Sequence, residues 1–139
     1  GEWINGAIDA DLKEKGAFDM TAPYRDGTRL VQAEGGTYLR PTIVHCDSMN
    51  HPLSNREFLC PYASVVEVPQ SQMLGAIGPT LVVTAITKDE SFKQKLLSAS
   101  NIERLNLGPI STMKISWDQP HEGNMFEFLY KRRSIGMAA

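Results

Sequence analysis

The chain has 139 residues, a length typical of one domain. Its composition is 42% hydrophobic and 22% charged, which is typical of a globular protein and argues against disorder. The formal net charge of -2 provides no strong field that would attract nucleic acid or an anionic membrane. We therefore expect a single domain over residues 1–139 and no nucleic-acid or membrane partner.

Cysteine use and hydropathy indicate the compartment. Cys46 and Cys60 are too few for a disulfide scaffold and match no zinc-binding spacing. Residues 1–15 carry acidic side chains and no apolar signal core. The longest mostly apolar stretch, residues 77–86, is too short to cross a bilayer. These features predict a reduced, intracellular protein, and we expect it in the cytoplasm.

The first predicted element is a helix over residues 2–15, with Gly16 as its stop. Its apolar residues recur at the spacing of one helix face: Trp3, Ile4, Ala7, Ile8 and Leu12. Residues 19–36 are rich in turn formers, and the Gly35-Gly36 pair is a predicted turn. The β-branched run 37–47 follows as a predicted strand, with Pro41 at an edge or entry.

Strands then alternate with helices. The predicted strands are 63–69, 80–89 and 101–108, and the predicted helices are 70–78 and 89–100. Asp89 is the expected cap of the second helix. The near-continuous apolar character of residues 80–89 indicates a sheet covered on both faces. Residues 109–123 are a predicted loop, and 124–135 fit either a helical turn or a strand. The alternation predicts an α/β fold with a mostly parallel sheet and flanking helices.

Candidate nucleophiles and metal ligands are weakly supported by their local sequence. Cys60 has no adjacent histidine, and most free cysteines are small buried hydrophobes. His45 and Cys46 are neighbours on a predicted strand, where they would point to opposite faces. An independent thiol enzyme using Cys60 or this pair stays an alternative. We therefore expect no catalytic residue in this chain. We also expect no metal site, because the spacing of His45, His51 and His121 matches no metal-binding motif.

The order of several short motifs between residues 38 and 135 is more informative about the protein family than any single motif. Tyr38, Pro41, Thr42 and Ile43 fill the pattern Tyr/Phe-x-x-Pro-Thr-Val, and residues 57–61 align with Glu-x-Phe-Gly-Pro. A strand leading to Thr-x-Asp, a strand carrying Asn106, and the segment 119–135 follow in order. From residue 35 onward the chain resembles the C-terminal part of the catalytic domain of the aldehyde dehydrogenase superfamily, and the predicted first helix fits the helix that precedes this region.

The resemblance implies specific site residues. Glu57 takes the place of the glutamate that contacts the nicotinamide ribose hydroxyls, since a carboxylate can accept two hydrogen bonds. Leu59 stands beside it in the cofactor site, where the family has an aromatic residue, and Cys60 replaces a glycine. Asn106 and His121 become candidates for the wall of the aldehyde pocket. The alternatives are a surface glutamate at position 57 and hydrogen bonding within loops for Asn106 and His121.

The resemblance also implies what this chain does not supply. The family's nucleophilic cysteine lies farther upstream than the 56 residues that precede Glu57, as do its general base and its dinucleotide-binding domain. NAD or NADP would bind only in the complete enzyme, which would oxidise an aldehyde to an acid or thioester. We expect the chain alone to be inactive. Its partner would be the upstream domain or a second copy in a homo-oligomer. A non-enzymatic interaction module with unpaired strand edges is the alternative.

Overall fold

A computed structural model of the chain describes residues 1–114, 116 and 134–138. In these ranges the protein is mixed α/β, with three helices and eight strands. The chain divides into two compact units, Gly1–Pro69 and Gln70–Ala139, and each unit has its own hydrophobic core. That residues 1–139 form one domain stays a prediction.

The first unit contains one helix, five strands and a short 3₁₀ turn. These are α1 (Glu2–Asp11), β1 (Ala17–Asp19), the 3₁₀ turn (Ala22–Tyr24), β2 (Leu30–Ala33), β3 (Gly36–Leu39), β4 (Thr42–Cys46) and β5 (Tyr62–Val66). One sheet has the order β1-β4-β5, in which β4 is antiparallel to β1 and parallel to β5. Strands β2 and β3 form a separate antiparallel hairpin. The predicted first helix is confirmed but is shorter, since Leu12 is its C-cap.

The run 37–47, predicted as one strand, is two strands in different sheets. Pro41 has no N–H to donate to a ladder, so pairing stops there and resumes at Thr42, whose N–H donates to Pro61 O. The predicted turn at Gly35 and Gly36 is confirmed as the hairpin between β2 and β3. Gly35 has φ +92°, a left-handed conformation that favours glycine.

The core of the first unit lies between α1 and the inner face of the three-stranded sheet. Ile8 of α1 and Val44 of β4 are both fully buried in this cluster. Alternation along β4 places Ile43 on the outer face, where it is 40% exposed. Phe58, from the loop before β5, closes the same core.

The second unit alternates helices and strands. Its elements are α2 (Gln70–Ile77), β6 (Thr80–Ala85), α3 (Glu90–Ser98), β7 (Ile102–Leu107) and β8 (Ser134–Met137). Strands β6, β7 and β8 form a wholly parallel sheet. The predicted strands and helices between residues 70 and 108 are confirmed in type and order, but β6 ends at Ala85 and is shorter than the predicted strand 80–89. The parallel arrangement holds for this sheet, whereas the first unit also contains antiparallel pairs.

Helix α3 begins where the sequence predicts. The Asp89 carboxylate accepts the N–H of Phe92 at 3.0 Å, which satisfies one of the free donors of the first turn. Phe92 and Leu96 pack into the core with Leu105 of β7. The sequence predicted that both faces of this sheet are covered. Leu81 of β6 is 51% exposed, so the prediction is wrong at this position.

The C-terminal predictions fall mostly outside the described residues. The expected loop 109–123 is described through Lys114 and at Ser116, and His121 lies outside the described part. Of the stretch 124–135, only its end is described, where β8 begins at Ser134. No helix in the described ranges combines the length and apolar character needed to cross a membrane.

Candidate functional site

The loop between β4 and β5 presents Glu57 and Leu59 on the surface. Leu59 is 95% exposed, and Glu57 is also exposed. Phe58, between them, is only 9% exposed and joins the core. The buried phenylalanine therefore fixes the loop while its two neighbours point away from the core of the first unit.

Contacts on both sides of Phe58 anchor this loop. The ring of Phe58 meets the ring of Tyr62 edge to face, with centroids 4.9 Å apart. Arg56 places its guanidinium 5.0 Å from the Phe58 centroid and pairs with Asp11 at the end of α1 at 2.5 Å. The backbone carrying Glu57 is thus attached to a helix and to a strand.

Both carboxylate oxygens of Glu57 are free to accept hydrogen bonds, as far as the described residues are concerned. Among the described residues, none donates a hydrogen bond to it or forms an ion pair with it. An ionised carboxylate has two oxygens and can accept from two neighbouring hydroxyl groups. The loop therefore presents a solvent-facing carboxylate beside the apolar side chain of Leu59.

Neither cysteine is prepared to act as a nucleophile. Burial raises the pKa of the Cys60 thiol, although Arg29 and the N-terminal amino group oppose this. Cys46 is fully buried, and burial together with the nearby charge of Asp47 raises its pKa. Both thiols are therefore protonated near neutral pH, and the thiolate is the reactive form.

The histidine nearest to Cys46 is not its sequence neighbour. Cys46 Sγ lies 3.9 Å from His51 Nδ1, which also accepts the N–H of Leu53 at 3.1 Å. His45 is on the other face of β4, where it stacks on Phe18 with centroids 5.0 Å apart. The strand alternation thus separates His45 from Cys46, as the sequence predicts. The contact with His51 was not predicted, because it depends on how residues 47–53 fold back.

Asn106, the predicted pocket residue of the second unit, is only 2% exposed. Its Nδ2 donates to Thr84 Oγ1 at 3.1 Å, and Thr84 Oγ1 donates to Ile110 O at 2.9 Å. This network ties the carboxyl end of β7 to the segment that follows it. The alternative role for Asn106, hydrogen bonding at a strand end, is therefore observed, whereas a role in a pocket wall stays a prediction.

Sequence reasoning did not single out Arg104. Its side chain is 1% exposed on β7, two residues before Asn106 and on the same face. Its guanidinium donates to the backbone oxygens of Thr112 and Lys114. The available signal was the spacing of two residues from Asn106, which places both side chains on one face of the predicted strand.

The predicted site residues fall in both units. Glu57 and Leu59 share one loop of the first unit, and Asn106 belongs to the second. A cleft of about 430 Å³ in the first unit contains neither of the loop residues; it is lined by Thr21, Tyr24, Arg25, Asp26, Arg40 and Pro41. In the described ranges, no three His, Cys, Asp or Glu side chains come together as metal ligands would.

Comparisons with known proteins return no relative. No family model, curated protein or solved structure matches the chain. The resemblance to aldehyde dehydrogenases therefore depends on the ordered motifs of the sequence, and the roles of Glu57, Leu59, Asn106 and His121 are predictions.

Proposed function

We propose that this chain is the C-terminal part of the catalytic domain of an NAD(P)-dependent aldehyde dehydrogenase-like oxidoreductase. In the complete enzyme, Glu57 accepts hydrogen bonds from the nicotinamide ribose hydroxyls, and Leu59 contacts the cofactor beside it. The nucleophilic cysteine, the general base and the dinucleotide-binding domain come from outside these 139 residues. The chain alone does not turn over an aldehyde.

The presentation of Glu57 is the observation that carries this proposal. Its carboxylate is exposed and has no partner among the described residues, while the backbone on either side is anchored through Arg56 and Phe58. The anchored backbone fixes where the Glu57 side chain leaves the loop, and its two carboxylate oxygens are free to accept two hydroxyl groups.

The state of the two thiols is consistent with a nucleophile supplied from elsewhere. Attack on an aldehyde requires a thiolate, and burial raises the pKa of both Cys46 and Cys60. In the proposed enzyme, this part of the chain therefore contacts the cofactor and does not supply the nucleophile.

Cofactor affinity of the native protein that contains this sequence tests the proposal. Glu57→Gln should raise the dissociation constant of NAD or NADP by about 10- to 100-fold, because charge-assisted hydrogen bonds contribute about 1.5–3 kcal/mol. Glu67→Gln, a second exposed carboxylate of the same unit, is the matched control and should change it little. Equal affinities for the wild type and both variants would contradict the proposal.

A second candidate function is association with another copy of the chain, without catalysis. The outer face of the β1-β4-β5 sheet exposes large apolar side chains, including Phe18, Ile43 and Val65 at 55%, 40% and 43%. Strand β5 is also an edge of this sheet, and edge strands offer unpaired backbone groups to another strand. The same surface on two copies could pair by symmetry, so a homodimer is the expected product.

A further inference from the structure

The guanidinium of Arg104 is a buried charge that has no acidic partner among the described residues. Arg104 is 1% exposed, and its side-chain hydrogen bonds within the described ranges all go to backbone oxygens. Removing a charge from water is strongly unfavourable unless an opposite charge and hydrogen bonds replace the lost hydration.

The acidic residues of the second unit that the structure describes either bind other groups or lie on the opposite face of the sheet from Arg104. Asp89 caps α3, and Glu90 pairs with Lys93 at 2.5 Å. Glu103 is exposed, and the alternation of β7 directs it away from the face that carries Arg104. None of these three carboxylates compensates the buried guanidinium.

The hydrogen bonds of Arg104 leave one edge of the guanidinium only partly used. Nη2 donates to Thr112 O, and Nη1 donates to Lys114 O over a long 3.3 Å. Nε is buried without a hydrogen-bond partner. Nε and Nη2 form one edge of the planar guanidinium, and two such parallel donors match the two oxygens of a carboxylate.

The group that now occupies this edge is a neutral acceptor in an exposed segment. Residues 111–114 are all exposed, and the Thr112 carbonyl accepts from Nη2, which shares this edge with the unsatisfied Nε. A carboxylate forms stronger, charge-assisted hydrogen bonds than a backbone carbonyl. A carboxylate that reached Arg104 would therefore replace Thr112 O, and residues 111–114 would move away from the sheet.

We propose that Arg104 is the binding residue of a site for a small carboxylate, covered by residues 111–114. The carboxylate binds side-on to Nε and Nη2 and supplies a counter-charge that no carboxylate of the described residues provides. Asn106 and Thr84 lie on the same sheet face and keep the beginning of the covering segment attached through Ile110. The site does not depend on the role proposed for Glu57, which is in the other unit.

The wild-type chain allows a direct test by NMR, which avoids any doubt about the folding of variants. The isotope-labelled protein is titrated with sodium acetate, with acetamide as the neutral molecule of similar shape, and with sodium chloride at matched ionic strength. Acetate should shift the Arg104 Nε–H signal and the Thr112 to Lys114 amide signals to saturation. Acetamide and chloride should not produce a saturable shift.

Two variants separate the bidentate site from general charge. Arg104→Lys retains a cation but loses the planar pair of donors, so acetate should bind at least about tenfold more weakly. Lys93→Gln removes a cation of α3 and should leave acetate binding unchanged. If acetate causes no saturable shift in the wild type, or if acetamide causes the same shift, Arg104 only fastens residues 111–114 and the proposal is wrong.

Discussion

Asp19 and Arg29 form a buried ion pair, with Arg29 Nη2 3.0 Å from Asp19 Oδ2 and side chains that are 7% and 6% exposed. The Asp19 carboxylate also accepts from Thr21 and from Arg25. Arg29 reaches Asp9 on α1 at 2.8 Å. The pair therefore connects the helix, the first strand and the segment before β2, and it governs how the stability of the first unit depends on pH.

Stability should fall in acid because of Asp19. Burial alone would raise its pKa, but hydrogen bonds from Thr21, Arg25 and Arg29 outweigh burial and lower it to about 2. The folded pKa is thus below the unfolded value near 3.9, so this stabilisation is present above about pH 4 and is lost between about pH 4 and pH 2. The contribution at neutral pH is about 2–3 kcal/mol.

Urea unfolding of the wild type and Asp19→Asn at several pH values measures this contribution. The variant should be less stable by about 3 kcal/mol at pH 7, because two guanidinium groups lose their shared carboxylate. The difference should shrink by about 2 kcal/mol as the pH falls through the window. A difference that is independent of pH would show that Asp19 does not titrate as described.

The core of the second unit should be sensitive to truncation of Leu105. This side chain is fully buried between the sheet and α3, so Leu105→Ala should lower the free energy of unfolding by about 3 kcal/mol. Leu81→Ala, on a residue that is 51% exposed, should cost less than about 1 kcal/mol. Denaturant unfolding followed by circular dichroism compares them, and equal losses would count against the described packing.

Thiol alkylation should distinguish the two cysteines. Cys60 is half-buried and its pKa is raised, so iodoacetamide should react with it slowly at neutral pH and faster as the pH rises. Cys46 is fully buried and should react only after denaturation. Mass spectrometry of the modified peptides reads both rates. Rapid reaction of Cys60 at neutral pH would revive the alternative of an independent thiol enzyme.

Sedimentation tests the second candidate function. If two copies associate through the outer face of the β1-β4-β5 sheet, the wild type should change from monomer to dimer across micromolar concentrations. Val65→Lys should weaken this association by placing a charge on the apolar face. Ser71→Lys adds the same charge at an exposed position of α2 and should have no effect. A wild type that is monomeric at every concentration would exclude the homodimer.

The elements that the sequence predicted well are those set by local interactions. Helix α3 begins at its Asp89 cap and buries Phe92 because capping and helical periodicity act within one or two turns. The turn at Gly35 was readable because a glycine pair favours left-handed backbone.

Features that depend on distant partners were not readable. Strands β1 and β2 have three and four residues, and their pairing with β4 and β3 defines them more than their own composition does. The burial of Arg29 follows from Asp9 and Asp19, which lie 20 and 10 residues away. The hydrogen bonds of buried Arg104 depend on the path of residues 112–114, which no motif encodes.

The candidate site shows the same division. Phe58 is buried and its neighbours Glu57 and Leu59 are exposed, which matches the alternative of a surface glutamate and leaves the cofactor role a prediction. The buried network of Asn106 is not local, because it requires Thr84 on the neighbouring strand and Ile110 beyond the end of β7. The surroundings of Asn106 could therefore not be predicted from the sequence near it.

The most direct test of the central claim is aldehyde-dependent formation of NADH or NADPH by the native protein, captured from its source cells with an antibody to residues 90–103. We predict that a species heavier than 15.4 kDa forms NADH or NADPH from an aldehyde and that the isolated 139-residue chain does not. Absence of turnover by the native protein over a broad aldehyde panel would contradict it. Turnover by the isolated chain that Cys60→Ser abolishes would contradict it equally.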